Sequence, residues 1–232
     1  MTKFAFERVF VWLGGAAFAG SLILCAHAFV FLWSRVDTAP TRGVGQSVLA
    51  DATLFTVFAA HHSIFARESI KAWIARTVPA RLIRSVYVWT ASLLLVLVVM
   101  AWRPIGGDLY RATGWTGYGH GLVQLAGVWL IARSVSVIDA LELAGVHSSG
   151  GPASLQITGP YRFVRHPLYL GWMLIVFGAA HMTGDRAMFA AITTIYLMIA
   201  MPWEERSLER TFGNDYARYK QRVPWRVIPF VY

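Results

Sequence analysis

Long apolar runs are the feature of this sequence that most restricts how the chain can fold. A helix that crosses the hydrocarbon core of a bilayer needs about 20 mostly apolar residues. Four runs approach that length, and two shorter ones flank the tetrapeptide Thr183-Gly184-Asp185-Arg186, which predicts a tight helical hairpin. The runs lie near residues 9–33, 45–66, 82–102, 118–138, 167–182 and 187–203. The sequence therefore predicts an all-α, polytopic membrane helical bundle of about six transmembrane helices, ending in a helical hairpin and a cytoplasmic carboxy-terminal tail.

Composition supports the membrane class. The chain has 232 residues, of which 56% are hydrophobic and 14% are charged, whereas a soluble domain carries about a quarter charged residues. The first apolar run is longer than the core of a signal peptide and lacks a cleavage pattern, so we expect it to be retained as a span. No repeat or long linker divides the chain. We expect a single membrane domain over residues 1–232, with its amino-terminal spans in residues 1–138.

The formal net charge of +9 is distributed unevenly between the two sides of the predicted bundle. If the amino terminus lies inside and six spans follow, all but five of the 21 basic residues fall on that same side. Because Lys and Arg concentrate in cytoplasmic loops, both termini are expected in the cytoplasm. The excess charge then orients the protein and meets anionic membrane lipid, and it does not indicate nucleic acid as a partner. The five exceptions are Arg35, Arg42, Arg103, Arg111 and Arg186.

The single cysteine, Cys25, lies inside the first apolar run. One cysteine can form no intrachain disulfide and excludes a cluster of thiolate metal ligands. We expect Cys25 to pack in the core, as free cysteines commonly do. The spacing of His120, His147 and His181 does not suggest a metal site either, so we expect no metal.

The segment GPYRFVRHPLYLGW, residues 159–172, places Arg165 and His166 at the start of an apolar helix. Pro167 suits the first helical position, where its missing N–H costs nothing. The free N–H groups and positive dipole of a helix amino terminus attract an anion. Tyr169 follows His166 by three residues and shares its helical face. The segment therefore predicts an anion receptor beside an aromatic side chain.

A pair of carboxylates, Glu204 and Glu205, follows Pro202 in the last apolar run. In a hairpin of two helices with similar rise, the end of the second helix lies beside the start of the first, so His166 and Glu204 are predicted neighbours. Pro202 predicts a kink or a helix end at this level. Adjacent helical residues diverge by about 100°, so we expect one carboxylate to face the site and the other to pair with a loop cation. A ligand with a carboxylate, an ammonium and a flat ring system fits this arrangement, and S-adenosylmethionine is such a ligand.

Two stretches of the carboxy-terminal half carry a family resemblance: SLQITGPYRFVRHPLYLGW and EERSLERTFGNDYARYKQRVP. Together, over about residues 153–230, they resemble the isoprenylcysteine carboxyl methyltransferase and phospholipid methyltransferase superfamily of integral membrane enzymes. The shared order is Gly-x-Tyr, Arg-His-Pro-x-Tyr-x-Gly, Glu-Glu, Tyr-x-x-Tyr and Val-Pro. The amino-terminal stretches HHSIFAR and RSVYVWTASLLLVLVVMAWRP resemble the branch that contains NnrU-like proteins and methanethiol S-methyltransferases.

The resemblance implies that residues 139–232 form a cofactor-binding half that holds S-adenosyl-L-methionine. It also implies a small or lipid-soluble methyl acceptor, and the amino-terminal branch favours a thiol. The residues implied to bind the cofactor are Ala153, Ser154, Leu155, Gln156, Tyr161, His166, Pro167, Tyr169 and Glu204.

In-line displacement at a sulfonium methyl group needs alignment and desolvation more than covalent help from the protein. A thiol acceptor attacks as its thiolate, so the site must tolerate deprotonation of the thiol near Arg165 or His61. The catalytic candidates are Arg165, His61 and Glu205. The roles of His61, His62, Asp139 and Glu142 stay open, as does the oligomeric state.

Three alternatives also stay open. The acceptor could be an isoprenylcysteine or a phospholipid, although this chain has Ala153 and Ala200 where prenylcysteine members often have His and Arg. The tail RVPWRVIPFVY is similar to that of NADPH-dependent sterol-type reductases, but Leu168 and Trp172 stand where that group usually has Asn and an acidic residue. Intramembrane polar residues such as His61 could instead belong to a non-enzymatic transporter or assembly factor.

Overall fold

The computed structural model describes residues 2–36, 43–65, 68–138, 146 and 154–232. It is helical apart from one short two-stranded sheet, which confirms the predicted all-α class. The described residues form two compact units. The amino-terminal unit contains the described residues up to 107 together with residue 146, and the carboxy-terminal unit combines residues 108–138 with 154–232.

The amino-terminal unit is built on the packing of its first long helix against its last. Gly14 lets the indole of Trp89 approach closely, since a Cβ atom added at Gly14 would lie 3.0 Å from Trp89 Nε1. The same Nε1 donates a hydrogen bond of 3.1 Å to the carbonyl of Phe10, which fixes the indole against the first helix. The helices are α1 (Thr2–His27, extended by a π-helical turn Ala28–Leu32), α2 (Val44–Phe65), α3 (Glu68–Ile74) and α4 (Ala80–Met100).

The carboxy-terminal unit contains the segments that the sequence analysis singled out. Its α6 begins at Pro167, the first helical position predicted for that residue. The elements are β1 (Asp108–Arg111), α5 (Gly114–Val135), a 3₁₀ turn (Gly159–Arg162), α6 (Pro167–Phe177), β2 (His181–Thr183), α7 (Gly184–Phe212) and α8 (Asn214–Arg222).

Helices α5 and α6 pack with their backbones in close contact at two glycines. A Cβ atom on Gly127 would lie 2.6 Å from the carbonyl oxygen of Gly171, and one on Gly171 would lie 2.7 Å from Ile131 Cγ1. Neither position has room for a side chain. The glycine at position 171 thus allows the backbone of α5 to approach closely.

The connection between α6 and α7 differs from the prediction of a simple helical hairpin. Helix α6 ends at Phe177, so the expected helix over residues 167–182 is wrong in its last third. The chain then forms β2, which pairs antiparallel with β1 and sets Asp108 opposite Thr183. Thr183 caps α7 by accepting a hydrogen bond of 3.3 Å from the backbone N–H of Arg186. A partner strand far away in the sequence therefore satisfies the backbone groups that a helix would have satisfied internally.

Helix α7 runs through Pro202 to Phe212 over 29 residues. The expectation of a helix end near Pro202 is therefore wrong, and Glu204 and Glu205 lie inside a continuous helix. Trp172 of α6 donates a hydrogen bond of 2.9 Å from Nε1 to Thr193 Oγ1, which ties α6 to α7.

Four helical segments among the described residues are long and apolar enough to cross a membrane, which supports an integral membrane protein. Helix α6 has 11 residues and at 1.5 Å per residue rises only about 17 Å, against a hydrocarbon core of about 30 Å. The number of spans and the side of each terminus therefore remain predictions. The four segments are Ala5–Leu32, Val44–Phe65, Ala80–Met100 and Gly184–Phe212.

Candidate active site

Three predicted cofactor-binding side chains come together where α6 begins beside α7. The rings of His166 and Tyr169 stack with centroids 5.1 Å apart and planes 16° apart. The hydroxyl of Tyr169 donates a hydrogen bond to Glu204. His166 Nδ1 lies 3.8 Å from Glu204 Oε2, which confirms that these two residues are neighbours.

The two adjacent carboxylates have different environments, as expected from their angular divergence. The side chain of Glu204 is 47% exposed, whereas that of Glu205 is 5% exposed. Glu205 accepts hydrogen bonds from Nε of Arg165 at 2.7 Å and Nε of Arg226 at 3.1 Å. Its Oε1 also lies 3.4 Å from His166 Nε2. Glu205 is therefore enclosed by cations, and Glu204 is the carboxylate that a ligand can reach.

Arg165 is buried and makes all of its described contacts within the carboxy-terminal unit. Besides Glu205, its Nη1 donates to the carbonyls of Val223 at 2.8 Å and Pro224 at 2.7 Å. Two nitrogens of this buried guanidinium, Nε and Nη1, are thus hydrogen-bonded to a carboxylate and to backbone carbonyls. The structure thus places Arg165 between the carboxylate of α7 and the tail, where its guanidinium is already occupied.

The carboxy-terminal tail completes this site, a contribution that the sequence did not predict. The backbone N–H groups of Arg165 and His166 donate to the carbonyls of Trp225 at 3.0 Å and Arg226 at 2.8 Å. Arg226 in turn donates from Nη1 to the hydroxyl of Tyr232 at 2.7 Å. The available signals were a Val-Pro pair and a lone basic residue in an aromatic tail, neither of which specifies a partner 58–60 positions earlier.

Tyr161 lies on the 3₁₀ turn just before this site. Its burial, and then the negative charge of Glu204, raise the pKa of the Tyr161 hydroxyl to about 12. The hydroxyl is therefore neutral at physiological pH and can donate a hydrogen bond. Tyr219 of α8 donates to the backbone carbonyl of Tyr161 at 2.7 Å, which fixes the turn against α8. Tyr216 and Tyr219 are buried and belong to the hydrophobic core of this unit.

The segment that precedes the 3₁₀ turn supplies the remaining predicted cofactor residues. Gln156 Nε2 donates to Ser154 Oγ at 3.1 Å. Leu155 packs against the cluster of Tyr216, Tyr219 and Val223. Ala153 lies outside the described residues, so its predicted place beside the cofactor is not described.

His61, the third catalytic candidate, belongs to the amino-terminal unit. Its ring stacks on Tyr87 with centroids 5.5 Å apart and planes 12° apart, and the centroid of Phe65 is 4.6 Å away. Both ring nitrogens are buried, and neither has a hydrogen-bond partner among the described residues. The Tyr87 hydroxyl is hydrogen-bonded to His62 Nδ1. His61 is thus a polar group in an aromatic surrounding, with unused hydrogen-bonding capacity.

Metal ligation has no support in the part of the chain that the structure describes, where no three His, Cys, Asp or Glu side chains converge. Asp139 and Glu142, whose roles the sequence left open, lie outside that part. The chemistry available to the carboxy-terminal unit is a half-exposed carboxylate beside two stacked rings, supported by a buried ion network.

The amino-acid sequence matches a known protein family. The family model for phospholipid methyltransferases matches residues 117–215, which include all of α6 and α7. No solved structure matches the chain significantly.

Curated relatives match almost the whole chain. A methanethiol S-methyltransferase of Crocosphaera subtropica is 32% identical over 240 residues, covering 97% of this chain and 94% of the relative. Methanethiol S-methyltransferase 1 of Bradyrhizobium diazoefficiens is 32% identical over 242 residues, covering 95% of this chain and 85% of the relative. Nurim of Rattus norvegicus is 30% identical over 184 residues, covering 72% of this chain and 70% of the relative.

Proposed function

Because this chain belongs to the family of membrane methyltransferases that contains the methanethiol S-methyltransferases, we propose that it methylates a small or lipid-soluble thiol with S-adenosylmethionine. The observation that carries the proposal is the environment of Glu204. This carboxylate is 47% exposed and adjoins the stacked rings of His166 and Tyr169. The methanethiol S-methyltransferases among the relatives favour this proposal over the reductase and the transporter that the sequence left open.

The residues present fit the proposed donor. S-adenosylmethionine, when bound, supplies a methyl group on a positively charged sulfur that a thiolate can displace. Glu204 would hold the ammonium group, since an ion pair that is partly shielded from water is worth more than one at the surface. His166 and Tyr169 would provide the aromatic wall, with Tyr161, Ser154 and Gln156 contributing hydrogen-bonding groups.

Arg165 and Glu205 contribute to catalysis by positioning other groups in this proposal. Glu205 is enclosed by two guanidinium groups and lies 3.4 Å from His166 Nε2. Glu205 thus lies beside the imidazole at the amino terminus of α6, whose plane is 16° from that of Tyr169. Displacement depends on the alignment of acceptor and methyl group, so a fixed wall on one side of the donor serves the reaction directly.

We propose that His61 accepts the proton that the thiol loses. Its support comes from its own surroundings in the amino-terminal unit, where both ring nitrogens lack partners among the described residues. A neutral imidazole can accept a proton, and a thiol must lose one before it becomes a good nucleophile.

The names of the relatives support a thiol as acceptor, whereas the matching family model names phospholipids. A phospholipid is therefore the second candidate. We place the reaction at the cytoplasmic face, with both termini in the cytoplasm, because most basic residues fall on that side of the predicted bundle.

A labelling experiment tests the proposal. Purified full-length protein would receive S-adenosylmethionine with a radiolabelled methyl group, together with methanethiol, a prenylcysteine or phosphatidylethanolamine. We expect the label in the methanethiol product. If only the lipid were labelled, the acceptor would be a phospholipid instead of a thiol. If the protein did not bind S-adenosylmethionine, the assignment of the donor would be wrong. Glu204→Gln should lose labelling, whereas Glu209→Gln, on the same helix, should keep it.

A further inference from the structure

A second cleft in the carboxy-terminal unit is lined by arginines and shares one residue, Leu155, with the residues implied to bind the cofactor. It has a volume of about 700 Å³ and lies between the segment before the 3₁₀ turn and helix α8. We call it the arginine cleft. Its lining residues are Leu155, Ile157, Arg162, Asp215, Arg218, Tyr219, Arg222 and Val223.

The charge of the arginine cleft identifies the class of ligand. Three guanidinium groups and one carboxylate line it, and that carboxylate, Asp215, is paired with Arg218. Arg162 and Arg222 make no side-chain hydrogen bond or ion pair with any other residue that the structure describes. S-adenosylmethionine carries a net positive charge, so this cleft repels it and attracts an anion. Planar guanidinium groups match the oxygens of a phosphate in a two-point geometry.

The apolar residues in and beside the cleft indicate which kind of molecule carries the phosphate. Leu155 and Val223 give the cleft a hydrocarbon wall, and Ile157 in the lining is 41% exposed. Phe163, directly after Arg162, is 71% exposed. A phosphate that is joined to glycerol and acyl chains would cover these apolar groups, whereas free phosphate would leave them in water.

We propose that the arginine cleft binds the phosphate group of an anionic membrane lipid and thereby holds helix α8 against the lipid surface. Residues Asp215, Arg218 and Arg222 share one face of α8 at spacings of three and four. A lipid bound there contacts α8 and the 3₁₀ turn at once, since Arg162 ends that turn. Tyr219, which lines the cleft, also donates to the backbone of Tyr161. The bound lipid would therefore stiffen the turn that leads into α6.

Binding of short-chain lipids to the purified, delipidated full-length protein in neutral detergent tests this proposal. The probes are dioctanoyl phosphatidylglycerol, dioctanoyl phosphatidylcholine and glycerol phosphate, followed by native mass spectrometry. We expect phosphatidylglycerol to bind about tenfold more tightly than phosphatidylcholine. The double variant Arg162→Gln/Arg222→Gln should lose about tenfold or more of that affinity, because two charge-assisted contacts are removed. The matched variant Arg210→Gln removes an exposed charge outside the cleft and should bind like the native protein.

A gain of affinity provides a check that loss of folding cannot imitate. Asp215→Asn removes the one negative charge in the lining, so phosphatidylglycerol should bind more tightly. The proposal is overturned if the double variant keeps its affinity within about twofold, or if Asp215→Asn weakens binding. Competition by glycerol phosphate at the same concentrations as the lipid would also overturn it, because the site would then recognise a soluble phosphate.

Discussion

Each compact unit contains a histidine stacked on a tyrosine, and the two pairs differ in their electrostatic surroundings. His61 and Tyr87 lie 5.5 Å apart, and His166 and Tyr169 lie 5.1 Å apart, with nearly parallel planes in both. The Tyr87 hydroxyl meets the imidazole of His62, whereas the Tyr169 hydroxyl meets the carboxylate of Glu204. Stacking alone therefore does not define a cation-binding site. The carboxylate at the ring edge makes the second pair suitable for a positively charged donor.

The largest expected effect separates the structural carboxylate from the binding carboxylate. Glu205→Ala leaves the buried guanidinium of Arg165 without its ionic partner, which should lower the free energy of unfolding by about 3 kcal/mol. Glu204→Ala, one position earlier on α7, should change it by less than about 1 kcal/mol because that side chain is 47% exposed. Denaturant titration in mixed micelles measures both. Equal losses of stability would contradict the division of roles.

The next effect distinguishes the two histidines. Phenylalanine preserves the ring and removes the nitrogens, so His166→Phe should weaken donor binding about tenfold or more. His61→Phe should leave donor binding unchanged and slow methylation of a thiol about a hundredfold, the size typical of a lost general base. Calorimetry with the donor and single-turnover rates with the thiol measure the two effects. If either histidine variant produced the pattern expected of the other, the comparison would fail.

A smaller effect isolates the hydroxyl at the edge of each stacked pair. Tyr169→Phe removes one hydrogen bond to Glu204, worth about 1 kcal/mol, and should weaken donor binding about fivefold. Tyr87→Phe is the matched change in the other unit and should leave donor affinity as it was. The same titration applies to both variants, and an equal loss in both would mean that the hydroxyl of Tyr169 has no specific role.

The proximity of His166 and Glu204 was predictable although both helix lengths were wrong. Helix α6 contributes 11 residues at 1.5 Å each, and the six that follow are partly extended at up to about 3.3 Å each. This path climbs roughly as far as the 20 residues of α7 that lead from Gly184 back to Glu204. Whenever the chain runs back antiparallel over about the same distance, the start of α6 and the part of α7 that carries Glu204 lie side by side. The prediction depended on the total rise and not on the kind of turn.

The parts that could not be predicted depend on contacts between distant positions. The strand β2 forms because β1, 70 to 75 residues earlier, supplies its partner. The tail meets Arg165 through backbone carbonyls, which every residue possesses and no sequence pattern marks. The division of work between Glu204 and Glu205 was expected from helical geometry. Helical geometry could not predict which of the two would be buried, because that depends on where the tail places Arg226.

The affinity of the full-length protein for S-adenosylmethionine, measured by isothermal titration calorimetry for the native protein and for Glu204→Gln, tests the central claim most directly. The variant keeps the size and one acceptor oxygen of the side chain and removes its charge. We expect a loss of about tenfold to a hundredfold, while Glu209→Gln, an equal loss of charge on the same helix, binds like the native protein. Native affinity in Glu204→Gln would contradict the claim that this carboxylate holds the ammonium group of the donor.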